Sequence, residues 1–424
     1  MNKRNSKQQI FVYADWLNLQ TPTLMGILSS ERLRGKEIFS FEYDKIWIKS
    51  PHIQILDPDL QLYSGPQYIN DENKSNFGIF LDSSPDRWGR LLMRRRELAL
   101  ARIEDRPAKT LFETDYLLGV YDKHRMGAIR FKDSIDGEFL NANNELATPP
   151  WTSIRELEEI SLRLEEHDIV DDPEYLKWLN LLIAPGSSLG GARPKAGVLD
   201  NNKHPWIAKF PSKNDDTNIG AWEMITNELA KKAGLNVAEG MAKIFSSDHH
   251  TFLSKRFDRT DKGERIHFAS AMTLLGYTDG ANHEDGISYL ELVEFISTHG
   301  ANIWTDLKEL WRRIVFNICV SNTDDHLRNH GFIYSNEGWL LSPAYDINPV
   351  ATGTGLSLNI SEDDNSLNLD LALEVHQYFR LSEKDAKQII QEVRTAVKEW
   401  RNLSVKYNIS RTEQELMAVA FSKA

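Results

Sequence analysis

The chain has 424 residues, 41% hydrophobic and 26% charged, with a formal net charge of −12. Those values suit a globular protein of two or three folded units and exclude a disordered or fibrous chain. The acidic balance argues against a dedicated nucleic-acid binder, because neutralising phosphate needs a basic surface. Cys319 is the single cysteine, which excludes an intrachain disulfide framework and a cysteine-based zinc site. No run of about 18 apolar residues occurs and the amino terminus lacks a signal-peptide core, so a cytoplasmic protein without a membrane span is expected.

The first ~110 residues read as a small α+β unit. Alternating stretches at 38–43, 45–48 and 52–55 predict strands. Pro85 opens a helix with Ser84 as its predicted N-cap. That helix carries Arg87, Arg90, Arg94, Arg95 and Arg96, which read as a solvated face, with an anionic partner surface as the alternative. Residues 136–152 are polar and read as a loop, followed by an acidic helical pattern at 153–166. An apolar stretch at 178–183 leads into PGSSLGGARPK, and strand patterns follow at 196–199 and 206–210. A helix is predicted from about 219 to 233, closed by Gly234 at the C′ position. Another strand pair leads to LSKRFDR. Apolar residues at helical spacing between 303 and 320 predict a core helix that runs into SNTDDHLRNH. Strands are expected at 331–334 and 339–341. Ser382 and Asp385 form a capping-box pattern before a final amphipathic helix.

Several residues along this order carry chemistry. Asp324 is followed five positions later by Asn329, and Asp346 lies just past the strand pair. Phosphoryl transfer from ATP needs metal ions on the phosphates and a carboxylate to orient the acceptor hydroxyl, and protein kinases use the same Asp-to-Asn spacing. Mg²⁺ prefers oxygen ligands and takes one or two protein carboxylates. A polar loop capped by Asp and Asn is the plain alternative. The Gly-rich segment 185–192 lets backbone N–H groups approach phosphate, although Ala192 stands where a Walker A loop needs lysine; an ordinary turn is its alternative. Lys195 adds positive charge nearby. Lys209 sits inside a short apolar strand, and the next helix offers Glu223 to pair with it, with Glu228 as the competing partner. Glycine loop, strand lysine, helix glutamate, connector, core helix, Asp-x-x-x-x-Asn, strand pair and aspartate follow the order of a two-lobed kinase.

Through GGARPKAG, WIAKFP, WEMITNELAKKAGLNV, LSKRFDR, NTDDHLRNHGFIY and LSPAYDI, the chain resembles the HipA-type toxin kinases, bacterial Ser/Thr kinases of toxin–antitoxin systems. FGIFLDSSPDRWGRLLMRRRE and DYLLGVYDKHRMGAIRF resemble the amino-terminal subdomain of that family. The resemblance implies an α+β, two-lobed protein-kinase-like fold. Residues 1–135 would form an amino-terminal α+β subdomain, 150–257 the nucleotide-binding lobe and 258–424 a mostly helical carboxy-terminal lobe. It implies ATP and Mg²⁺ as cofactors. Asp324 matches the catalytic aspartate, and Asn329 and Asp346 match the metal ligands. Lys209 matches the lysine on the phosphates, with Glu223 beside it. Gly190, Gly191, Ala192, Arg193 and Lys195 match the nucleotide loop. Lys255, Arg256 and Phe257 match the adenine connector, and His326, Arg328 and Tyr345 belong to the same pocket. Ser188, or its neighbour Ser187, falls where members carry an autophosphorylated serine.

The chain departs from the family pattern in four places. Asp325 stands where many members have glycine. Arg193-Pro194 replaces Gln-Glu, Lys255 replaces an acidic residue, and 267–271 replaces a Gln-Glu-Asp segment. The last departure leaves the substrate open. The expected activity is protein Ser/Thr phosphorylation, with an aminoacyl-tRNA synthetase as implied target and a HipB-like DNA-binding antitoxin as implied partner; direct nucleic-acid binding is not expected without that antitoxin. A small-molecule kinase on the same fold and a pseudokinase acting as a binding module are the alternatives.

Overall fold

The computed structural model describes residues 7–17, 19–33, 35–142, 149–166, 169–183, 191 and 193–424. The chain divides into two compact units, Met1–Ala208 with Asp258–Ala269, and Lys209–Phe257 with Ser270–Ala424. No described helix is long and apolar enough to cross a membrane.

In the first unit, strands Lys7–Ala14, Thr23–Leu33 and Lys36–Tyr43 form an antiparallel meander. The short strand Gln67–Tyr68 extends one edge and Ile129–Lys132 the other. Inward-facing residues alternate along each strand, so Val12, Leu28, Phe41 and Phe131 are all buried. Phe80 joins them, its ring 5.6 Å from Phe41 and 6.1 Å from Phe131. The strand expected at 38–43 is present, but those expected at 45–48 and 52–55 are not. Asp44 Oδ1 accepts from the Ile46 and Trp47 amides, and this local bond turns the chain into a 3-10 turn, Trp47–Lys49, with Trp47 buried.

The arginine-rich helix is Arg87–Ile103, and its N-cap is Asp86, which accepts from Gly89 N. Ser84, the expected cap, donates to Phe80 O instead. A carboxylate stabilises a helix start through the dipole as well as the hydrogen bond. The arginines are not simply a solvated face. Arg90 forks onto Glu113 at 2.6 and 2.7 Å, and Arg95 donates to Leu164 O. Helices Ile154–Arg163 and Tyr175–Ile183 follow, then the paired strands Lys195–Leu199 and Pro205–Lys209. The turn between those strands is held by Asp200 Oδ1, which accepts from Asn202 N and His204 N.

The second unit is mostly helical. Helix Ile219–Lys232 is capped by Asn218, whose side chain accepts from Ala221 N, and it ends before Gly234 at φ 79°. Strands Gly240–Lys243 and Thr251–Lys255 pair antiparallel. Helix Ile303–Val320 buries Leu307, Leu310, Trp311, Ile314, Val315 and Ile318, as its spacing predicted. Strands Gly331–Ser335 and Gly338–Leu341 form the expected hairpin. Helices Leu369–Glu374, Glu383–Val397, Trp400–Lys406 and Arg411–Met417 complete the unit. Ser382 does cap Glu383–Val397 through Asp385 N, but Asp385 answers by accepting from the serine hydroxyl rather than the serine amide.

Candidate active site

The centre of the site is Lys209. Its ammonium donates to Glu223 Oε1 at 2.6 Å and to Asp346 Oδ1 at 2.7 Å. The side chain of Lys209 is only 14% exposed. Burial alone would favour the neutral amine, but the charges of Asp346 and Glu223 outweigh it and hold the ammonium well above its usual range. The sequence left Glu223 and Glu228 as rival partners. Glu223 wins; Glu228 instead accepts from Lys406 and from the Tyr407 hydroxyl.

Three bonds place Asp346. Ala238 N donates to Ala344 O and Ala344 N to Asn236 O, so the segment after helix Ile219–Lys232 pairs with the segment before Asp346. Thr226, three residues past Glu223 on the same helix, donates to Ile347 O. Asp346 itself has φ 57°, a left-handed conformation that costs a non-glycine residue roughly 1 kcal/mol and that aspartate tolerates better than most. Asn348 Nδ2 donates to Asp346 Oδ1 at 3.1 Å.

The Asp324 loop begins where helix Ile303–Val320 stops at Ser321, φ 50°. His326 N donates to Asp324 O and Asn329 N to His326 O, which coils the loop tightly. Asn329 is buried, and its Nδ2 donates to Asp324 O at 2.8 Å, which points the amide oxygen away from that carbonyl. The Asp324 side chain is 78% exposed, with His326 Nε2 4.0 Å away. Tyr345 OH donates to Arg328 O at 2.6 Å, and its ring lies 5.5 Å from Phe257. Asn322 Oδ1 accepts from Asn348 N. Through Tyr345 and Asn322 the Asp324 loop, the Asp346 segment and the connector are tied into one framework. In the connector, Lys255 N donates to Glu239 O and Arg256 is buried. Arg328 lies 3.5 Å from Asp279.

Beneath the loop lies a network that the sequence reading did not assemble. Asp325 is buried and accepts from Asn317 Nδ2, Tyr289 OH and His330 Nε2. Burial pushes its carboxyl up, but His330 and these donors prevail and hold it below the usual carboxylate range. Asp325 therefore anchors the loop while Asp324 faces out. The signal available in the sequence was the doubled aspartate, with Asn317 one helical turn before the loop. Likewise, Asn348 two residues beyond Asp346 and Thr226 three beyond Glu223 were readable only as neighbours.

The nucleotide-loop residues belong to the other unit. Gly190, Ala192, Ser187 and Ser188 lie outside the described residues. Gly191 has φ 112°, and Arg193 is half-buried. Lys195 is buried, with its ammonium 2.7 Å from Asp86 Oδ2, so its charge is engaged within its own unit.

The donor set suits Mg²⁺. An amide oxygen and a carboxylate are hard ligands, and no group of three or more His, Cys, Asp or Glu able to hold a metal occurs among the described residues. A hexacoordinate ion there would complete its shell with water and phosphate oxygens, as Mg²⁺ usually does.

The chain matches the family described as HipA-like C-terminal domain over residues 187–400, half of its length, and it belongs to that family. Its fold is that of HipA. The HipA of Shewanella oneidensis MR-1, in a structure described as a toxin–antitoxin complex of HipA, HipB and its operator DNA, superposes with a TM-score of 0.66 at 19% identity, covering 98% of this chain and 95% of that one. A curated "Putative kinase" of Haemophilus influenzae is 29% identical over 184 residues, 39% of this chain and 53% of that protein. "Putative kinase Y4mE" of Sinorhizobium fredii is 28% identical over 150 residues, 34% of each. The chain thus spans about half the length, or less, of the curated relatives it matches.

Proposed function

We propose that this protein is an ATP- and Mg²⁺-dependent protein serine/threonine kinase of the HipA type. The observation that carries the reading is the bridge from Lys209 to both Glu223 and Asp346, set in one framework with the Asp324–Asn329 loop. Glu223 holds the Lys209 ammonium charged and aimed, ready for α- and β-phosphate oxygens. Asn329 and Asp346 would hold the metal, which supplies charge neutralisation on the phosphates when bound. Asp324, exposed at the loop, accepts the proton of the acceptor hydroxyl.

An exposed Asp324 suits a macromolecular hydroxyl, and the resemblance implies an aminoacyl-tRNA synthetase as the target. Autophosphorylation at Ser188 or Ser187 belongs to the same reading. A HipB-like antitoxin is the proposed partner. It is supported by the HipB in the Shewanella oneidensis complex and by a net charge of −12, which leaves DNA contact to another chain.

The test is transfer from radiolabelled ATP into cell-lysate proteins and, in parallel, into a panel of soluble metabolites. Wild type should label protein, and Asp324→Ala should lower labelling at least ~100-fold. Equal labelling by both removes Asp324 from the mechanism. Labelling confined to metabolites turns the reading to a small-molecule kinase.

A further inference from the structure

The helical unit holds a second concave site whose lining includes none of Lys209, Glu223, Asp324, Asn329 and Asp346. It is a cavity of about 980 Å³ bounded by helix Leu369–Glu374, helix Glu383–Val397 and the carboxy-terminal turn Ala418–Phe421, with Ala351, Gly353 and Thr354 along one side. That volume lies within the usual range for small-molecule sites. Lys387, Arg394 and Lys423 border it against a single carboxylate, Asp370, and Ser366 and Asn368 add polar groups.

Arg394 is the decisive residue. Its Nε is buried without a hydrogen-bond partner, and its guanidinium makes no ion pair among the described residues. Arg312 and Arg313, on helix Ile303–Val320, are satisfied. Arg312 donates to Ala233 O and Glu392, and Arg313 to Glu309 and Ser342 O. Lys387 is already engaged by Glu383. A guanidinium does not shed its proton, and an Nε–H buried without an acceptor is costly. Its planar fork matches an oxyanion.

We propose that this cavity binds a small ligand bearing a phosphate or carboxylate group, held by the Arg394 fork with Lys423 as the second cation. Ligand occupancy is read at the base of the Asp324 loop. Ser321 lines the cavity, its hydroxyl donates to Ala420 O, and its carbonyl accepts from Val350 N. Gly353, also in the lining, packs so tightly on Thr323 that a Cβ would lie 2.3 Å from that side chain. Both ends of this contact are within two residues of Asp324 or of the cavity wall. Binding does not depend on the kinase reading; only its consequence for phosphate transfer rests on it.

The experiment is calorimetric titration of the full chain without nucleotide or metal, at constant ionic strength. Inorganic phosphate and citrate serve as the two probes and separate the phosphate from the carboxylate source. Saturable one-to-one binding of at least one probe is expected. Arg394→Met should weaken it tenfold or more, and Lys423→Glu, on an exposed terminal residue, severalfold. Hydrogen exchange should show the amides of 321–329 gaining protection on binding. Undiminished affinity in both variants, or no saturable binding of either probe, overturns the site. Unchanged exchange at 321–329 overturns its link to the loop. A wild type that binds a probe but transfers no phosphate leaves the site standing and removes the kinase reading instead.

Discussion

Lys195 opens one strand and Lys209 closes the next, and each meets a carboxylate at hydrogen-bonding distance in its own unit. Their surroundings differ in access to solvent. The Lys195 and Asp86 side chains are 2% and 1% exposed, so their contact is shut away from solvent. Lys209 faces two carboxylates, and Asp346 remains 26% exposed. The first contact joins strand Lys195–Leu199 to the N-cap of helix Arg87–Ile103. The second sets two carboxylates on one ammonium and leaves Asp346 partly open to solvent, which suits the divalent cation of the proposed function. The two buried lysines thus differ in whether a contacting carboxylate still reaches water.

The comparison can be broken most severely at Lys195. Lys195→Met strands the Asp86 carboxylate in the interior and should cost about 4 kcal/mol in urea unfolding. The double variant with Asp86→Asn should recover a large part, and a cycle without such coupling denies the pair its role. Lys209→Met comes next, at about 3 kcal/mol, because Glu223 is left charged and only 4% exposed. Here added Mg²⁺ should restore part of the loss by taking the place of the ammonium near Asp346, while Lys195→Met should gain nothing from Mg²⁺. Equal response of the two variants to the metal would erase the distinction.

Asp57 supplies the smallest effect and the limiting case. It is buried and accepts only from the Asp59 and Ile79 amides, with no cation in contact among the described residues. Burial raises its pKa to about 6. A carboxyl raised in the folded state weakens the fold as pH climbs from about 4 through 6, and the cost is full above that. Asp57→Asn should therefore stabilise the protein by about 2 kcal/mol at pH 7.5, less at pH 5, and not at all near pH 4. A gain independent of pH in denaturant titrations would show that charge burial is not its cause.

The limits of the sequence reading follow from the same interactions. Helix Ile303–Val320 and the closure of helix Ile219–Lys232 by Gly234 were legible because periodicity and C-caps are local. The strands expected at 45–48 and 52–55 failed because alternation over four residues cannot compete with Asp44 drawing the chain into a turn. Ser84 lost the N-cap to Asp86, two residues on, for a related reason: the carboxylate also meets Lys195 from a distant part of the chain. Asp324, Asn329, Asp346 and Lys209 stood out by type and spacing. Asp325 was noted only as a departure from glycine, and Asn348 and Thr226 not at all, since each acts only through a neighbour supplied by folding.

By itself, the sequence determined the order of elements from helix Ile219–Lys232 onward and the short-range groupings: Asp324 with Asn329 in one loop and Ser382 with its helix. Only the tertiary structure decided which glutamate meets Lys209, that Lys195 is closed off by Asp86, and that Arg394 is left facing a cavity. The reason is range. Backbone geometry propagates over a few residues and leaves its period in the sequence, whereas the partner of a buried charge is chosen by segments brought together from far apart, where low dielectric makes a single contact decisive.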